Sequence, residues 1–528
     1  MMPAIFAKRA FGLLVWMTAA LAHAPILAQD VTEIPGQTVG GLFEQIQDDA
    51  AARARTPYRL PEEVLPEVLR ELDYDQYRAI RFRPESALWR GETRFEVQFF
   101  HPGYLFGQPV AVHQWADGRV VPIPFDRDHF TYEGPAQKLS ELEGSDLPGF
   151  AGFRLHFPMN HPEYKDEVMV FLGASYFRLV GPGQVYGLST RGLAVDTGMS
   201  SGEEFPVFRE FWLVRPEPED DIVTVLARLD SPSITGAYRF DLRMSPEVTV
   251  EVEKHLFARN DIARLGIAPL TSMFFFGDLS PRVPDDFRPR VHDSEGLMSR
   301  TAQGEWIWRP LSNPRVLRVS SLRDRKPQGF GLVQRNREFG AYLDMEAEYH
   351  RRPSQWVAPL EGDWGSGGVE LVEIHTISEF YDNIVAYWVS DEPVHAGDQR
   401  FYRYRLTLFD DDPPGAPPAR VVRSRSGGGD IPGAADPPPQ SLRRYIVDFS
   451  GGTLATRGDD ANLKVRLDAS AGTLDDVRLR RLPANEGWRA TFLLEPGNAP
   501  AVDLRLALTL DGDPVTETWN HVWYPDEL

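Results

Sequence analysis

The feature that most restricts the fold is a succession of short runs in which apolar and polar residues alternate. They include ETRFEVQFF (residues 92–100), PVAVHQW (109–115), RVVPI (119–123), EVMVFLGASYFRLV (167–180), DIVTVLARLD (221–230), GAYRFDLRM (236–244) and VTVEVEKHLFA (248–258). RVLRVSSL (315–322), GVELVEIHT (368–376), NIVAYWV (383–389) and FYRYRLTLF (401–409) continue the series. Alternation with period two marks strands that bury one face. Few helical stretches lie between the runs, which argues against parallel βαβ units, and antiparallel sheets packed as a large β-sandwich are expected. Asp117-Gly118 and Asp511-Gly512 sit between paired runs and predict tight hairpins. The clearest helix is predicted at 38–56, where Leu42, Phe43 and Ile46 share a face and Pro57 ends it; Pro61 and Glu62 open a second short helical turn.

At Asp410 the texture breaks into Pro- and Gly-rich tracts, DDDPPGAPPA and later SGGGDIPGAADPPPQ, around one plausible strand at 420–424. Short alternating runs then resume from RRYIVDFSGG to the C-terminus. This divides the chain into 29–410, a large β-sandwich domain that would hold the site; 411–418, a linker; and 419–528, a smaller immunoglobulin-like sandwich. Residues 1–28 combine Lys8 and Arg9, an apolar run from Ala10 to Ala22, and small residues up to Ala28. They read as a signal peptide for export, with no stable membrane insertion after cleavage.

The chain has no cysteine, so neither disulfides nor thiolate ligands shape it. Its formal net charge of −21 argues against nucleic acid or an anionic membrane as partner. Dispersed histidines give no metal-binding spacing, and no cofactor motif is present: Gly365-Ser366-Gly367-Gly368 lacks the lysine of a phosphate loop. Gly198-Met199-Ser200-Ser201-Gly202 matches a nucleophile elbow in letters, but without a strand-turn-helix context.

Carboxylates and aromatics offer the better chemistry. Asp293 lies in a polar turn after His292, and Asp382 stands at the entrance of the NIVAYWV run; either could simply cap its turn. Two carboxyl groups from separate loops are nonetheless what glycosidic cleavage requires. Trp306 and Trp308, two apart, face one side of a strand. With Trp356 and glycine-flanked Trp364, which is expected to be exposed, they are candidate sugar platforms. Arg288, Arg352 and Glu305 are candidate partners for sugar hydroxyls.

Longer stretches carry a family resemblance. LRELDYDQYRAIRFRPESALWR (69–90), FLGASYFRLVGPGQVYGLSTRGLAVDT (171–197), LGIAPLTSMFFFG (265–277), DDFRPRVHDSEGL (285–297), GEWIWRPLSNP (304–314) and YDNIVAYW (381–388) together resemble the osmoregulated periplasmic glucan biosynthesis proteins of the G and D type. The resemblance covers most of the mature chain and implies a periplasmic protein. It also implies a galactose-mutarotase-like N-terminal sandwich and an immunoglobulin-like C-terminal one. D-type members cleave β-1,2-glucan as anomer-inverting glycoside hydrolases, so a β-1,2-glucan polysaccharide is the implied partner. Carried over by motif, Asp382 would be the general acid, Asp293 the general base, and Tyr349 a relay tyrosine. An inverting transglycosylase that closes β-1,2-glucan rings and a non-catalytic glucan-binding scaffold stay open, as do the G or D subtype and a homodimer. Tyr381 departs from the family pattern, where a polar residue is commoner.

Overall fold

The computed structural model describes residues 38–525, apart from 63, 142–146, 148, 280–284, 416–418, 430–438, 440, 453, 455–461 and 484–485. The expected signal peptide, 1–28, lies outside the described residues. Strands make up 49% of the structure and helices 11%, which makes the protein all-β. No helix among the described residues is long and apolar enough to cross a membrane.

Two large twisted sheets face each other. One has ten strands, with Leu265–Ser272 paired to Ile384–Ser390 near its middle. The other has fifteen and is built around the antiparallel series Ile222–Asp230, Ile234–Arg243, Thr249–Ala258 and Gln399–Phe409. Their inner faces meet in one large core that includes Phe153, Phe171, Phe211, Phe240, Leu270 and Trp388. Burial alternates strictly along Thr249–Ala258, as its sequence pattern demands. One inward position there is a lysine: Lys254 is fully buried among the rings of Tyr238, Tyr402 and Tyr404, and its Nζ donates to the Gly192 carbonyl at 3.1 Å.

The helix Val39–Ala54 begins on Thr38, whose hydroxyl accepts from Gly41 N, and ends before Pro57. Leu42, Phe43 and Ile46 pack on Trp212, Leu226 and Ala237, covering the outer face of the larger sheet. Pro61 and Glu62, expected to open a helical turn, are non-helical; the next helices are Glu67–Arg70 and Tyr74–Arg78. Both predicted hairpins form. Asp117 and Gly118 take φ of 53° and 75°, Asp511 and Gly512 54° and 101°, the left-handed pairs that a two-residue turn needs. The Gly198–Gly202 segment is turns and irregular backbone, so no nucleophile elbow exists there.

Beyond residue 419 a four-stranded sheet, with Arg443–Ser450 and Trp488–Glu495 at its centre, faces Leu463–Ala469, Val502–Leu510 and Thr518–Trp523. These last three strands extend the fifteen-stranded sheet, because Thr518–Trp523 pairs in parallel with Trp306–Pro310. A second core results, shared by both halves of the chain.

That shared core corrects the expected sugar platforms. Trp306, Trp308 and Trp356 are buried in it beside Tyr445, Phe449 and Trp519. Trp306 and Trp308 do share a face, but the face closes the junction between the two halves. Arg335 lies 3.6 Å over the Trp308 ring and pairs with fully buried Glu517, which also accepts from Val421 N. Glu305, expected to meet sugar hydroxyls, instead accepts from Arg505 and Thr518 across the same junction. Trp364 is 3% exposed rather than open, packed edge-on to Tyr402 in the main core. Its flanking glycines form the turn, and the ring folds inward.

Candidate functional site

Asp293 and Asp382 are brought together through one short segment, Ser272–Phe274. Asp293 follows the strand Val291–His292, whose His292 pairs with Phe274, and its own N–H donates to the Met273 carbonyl at 2.8 Å. Asp382 precedes Ile384–Ser390, and the residue between is the clamp. Asn383 is buried; its N–H donates to the Ser272 carbonyl, its Nδ2 to the carbonyls of Phe274 and Ile374, and its Oδ1 accepts from Phe274 N. Ser272 Oγ donates to Ser294 Oγ at 2.8 Å, closing the other side. A saturated amide of this kind holds its backbone at a fixed distance and angle. Both aspartates are therefore set by the same three residues, although they are far apart in the chain.

The turn carrying Asp293 is polar in sequence but buried in the fold. Arg352 forms an ion pair with its carboxylate, and is itself oriented by donating Nε and Nη2 to the Ala347 carbonyl, both at 3.1 Å. The Arg352 guanidinium lies 4.4 Å over the ring of Tyr349. The Tyr349 hydroxyl donates to a second carboxylate, Glu379 Oε2, at 2.7 Å. Glu379 in turn accepts from Arg288, which also grips Asp286 and Asp344. Arg288 is thus consumed by three carboxylates and serves the loop framework, which corrects its expected role at sugar hydroxyls. Gln334 completes the frame: its Nε2 donates to the carbonyls of His292 and Tyr349, at 2.8 and 3.0 Å.

Burial pushes the Asp293 carboxyl up to about 6, against the pull of Arg352, and the Asp382 charge adds to the rise. Asp382 is raised too, by desolvation, with Arg178, Arg191 and Arg352 opposing. Its side chain keeps accessible surface, yet the surrounding protein displaces enough bulk water to disfavour the charge. The Asp382 charge acts on Asp293 across space, and no hydrogen bond joins the two among the described residues. Burial and the neighbouring Glu379 raise the Tyr349 phenol, which stays protonated. Burial lowers His292 to about 3, leaving it neutral against Phe274.

Three arginines act as charges on these aspartates, and their own bonds hold them differently. Arg352 is committed to Asp293, and Arg191 donates to Glu203 at 2.6 Å and to Thr271 Oγ1 at 2.9 Å. Arg178 is exposed and tethered through Nε to Ser189 Oγ at 2.8 Å, and its charge lowers both aspartates. Accessible rings also exist here: Phe380 and Tyr381, beside Asp382, are 86% and 67% exposed.

Asn383, Glu379, Gln334 and Arg178 escape the sequence reading. Two of them carried a usable signal: Arg178 interrupts an otherwise apolar strand, and Glu379 shares a short loop with Asp382.

The all-β fold thus gathers two carboxyls of raised pKa and three guanidinium groups around Ser272–Phe274. The family model described as "Periplasmic glucan biosynthesis protein, MdoG" matches residues 42–523, and the chain belongs to that family. Glucans biosynthesis protein G of Bradyrhizobium diazoefficiens is 42% identical over 96% of this chain and 98% of its own length. The protein of the same name from Ralstonia nicotianae is 45% identical over 90% of this chain and 96% of its own. Probable glucans biosynthesis protein D of Shewanella oneidensis is 42% identical over 88% and 85%. A solved polysaccharide lyase aligns with 68% of this chain and 44% of its own at 10% identity and a TM-score of 0.19, too weak to bear on fold or chemistry.

Proposed function

We propose that this protein works in the periplasm on the β-1,2-linked backbone of a glucan and cuts it by anomer-inverting hydrolysis. Asp382 is the general acid and Asp293 the general base. The observation that carries the proposal is the pair itself: two carboxyls of raised pKa, clamped from separate strands onto Ser272–Phe274. The surroundings of each carboxyl support these roles. A glucan filling the cleft displaces the water that still reaches Asp382, which strengthens its hold on the proton. Asp293 is already dry and keeps Arg352 beside it, so it ionises near pH 6 and can accept the proton of an attacking water. Inversion leaves room for that water when the carboxyls are about 6.5–9.5 Å apart.

In the reaction the Asp382 proton goes to the departing glycosidic oxygen while water attacks the anomeric carbon from the opposite face. The water's proton passes to Asp293. Tyr349 supports the base by stacking under Arg352, and a relay through its hydroxyl requires that it first leave Glu379. Phe380 and Tyr381 present ring faces to sugar C–H surfaces, and Arg178 meets hydroxyls.

The test is the anomeric configuration of newly formed reducing ends, followed by NMR while linear β-1,2-glucan is incubated with the purified protein. Short products of inverted configuration support hydrolysis. Rings indicate transfer to a sugar hydroxyl, and an unchanged but bound polymer indicates a scaffold.

A further inference from the structure

The stretch 69–90 is prominent in the sequence, yet nothing in the carboxylate cleft uses it. It builds a groove of about 770 Å³ between the helix Tyr74–Arg78, the strand Ile80–Phe82, the edge strand Glu96–Phe100 and its neighbour Gly152–His161. None of the cleft residues described above lines it. Its walls are firmly held. Asp73 and Gln76 cap the helix reciprocally, the Tyr77 hydroxyl donates to the His101 carbonyl, and Arg83 Nε donates to the Phe130 carbonyl.

Charge in this groove runs against the protein as a whole, which has 77 acidic and 56 basic residues apart from histidine. Arg154 is neutralised by Glu167 at 2.8 Å, and Arg83 has Glu85 at 3.9 Å. Arg78 and Arg81 are exposed and form no ion pair among the described residues. Arg81 points outward because Phe82, its neighbour on the strand, is the buried one. Glu133 also lines the wall, so four guanidinium groups stand against Glu85, Glu133 and the Glu167 paired with Arg154, an excess of one positive charge. Aromatic surface stands between them: Tyr74 is largely exposed, and Phe100 lies under Arg154 at 5.5 Å.

Guanidinium forks match the oxygens of phosphate and carboxylate, and ring faces match the C–H side of a sugar. We propose that this groove is a second binding site, separate from the carboxylate cleft, for a saccharide bearing a phosphate or carboxylate substituent. The site would let the protein hold an acidic glucan at a distance from the bond it acts on. It stands whether or not the cleft cleaves its ligand.

The experiment compares four probes by calorimetry on the mature full chain: a glucan oligosaccharide carrying one phosphate ester, its unsubstituted parent, inorganic phosphate, and phosphatidylglycerol vesicles. The phosphorylated oligosaccharide is expected to bind about ten-fold tighter than its parent, with the advantage shrinking as salt rises. The double variant Arg78→Gln/Arg81→Gln should reduce the advantage to within about two-fold at an unchanged melting temperature, whereas Asp382→Asn should preserve it. Equal binding of the two oligosaccharides overturns the proposal, as does an advantage that survives the double variant. Inorganic phosphate binding as tightly as the phosphorylated oligosaccharide removes the saccharide from the assignment. Vesicle binding lost in the double variant reassigns the groove to a membrane surface.

Discussion

Replacing Arg352 by methionine removes the one cation paired with Asp293 while keeping most of the apolar stem that lies over Tyr349. Asp293 stands at about 6 because burial outweighs the guanidinium. Loss of an adjacent opposite charge lifts a carboxyl by roughly 1–3 units, or about 1.4–4 kcal/mol. Asp293 would then titrate between about 7 and 9. At pH 7 the ionised fraction would fall from about nine-tenths to between about one-half and one-hundredth. If Asp293 is the base, Arg352→Met should move the acidic limb of the pH–rate profile for glucan cleavage upward by at least about one unit. It should also slow the reaction about two- to hundred-fold at pH 7, with recovery as the pH rises. Arg352→Lys retains the charge and should move the limb less. An acidic limb that stays in place in Arg352→Met would refute the assignment of Asp293 as the base whose ionisation controls the rate.

Two stability predictions follow from groups outside the cleft. Glu517→Ala strands Arg335 in the shared core without its buried partner, which should cost about 3–5 kcal/mol in urea denaturation; a loss under about 1 kcal/mol would mean that the two halves do not depend on that junction. Lys254, buried with three tyrosines and no carboxylate partner among the described residues, is lowered by desolvation to about 7. Its folded pKa lies below the unfolded value near 10.4, so the wild type loses stability as pH falls through that interval toward 7. Lys254→Met should therefore melt higher than the wild type at pH 7, with the gap changing in the wild type's favour as pH approaches 10. A gap independent of pH would contradict the lowered value.

Legibility in the sequence tracked how local each cause is. The Asp117-Gly118 and Asp511-Gly512 hairpins could be read because a two-residue turn depends on its own backbone angles. The helix at Val39–Ala54 carries its cap and its apolar face within its own residues. The shared face of Trp306 and Trp308 was equally readable, since it depends only on strand geometry. Which surface covers that face was not, because the partner strand Thr518–Trp523 lies far along the chain and burial there is a property of the pairing. Trp364 shows the same limit: flanking glycines reveal a turn but not the direction of the ring. Asp293 and Asp382 are legible as aspartates in turns, and only the family resemblance links them. Their meeting depends on Asn383 reaching Ser272 and Phe274, and no spacing rule encodes that contact.

The most direct measurement is product formation from linear β-1,2-glucan by wild type and Asp382→Asn, each checked for glucan binding and melting temperature. The wild type should release short oligomers, while the folded variant should bind the polymer and leave it uncut. Cleavage by Asp382→Asn at the wild-type rate would contradict the assignment of Asp382 as the proton donor.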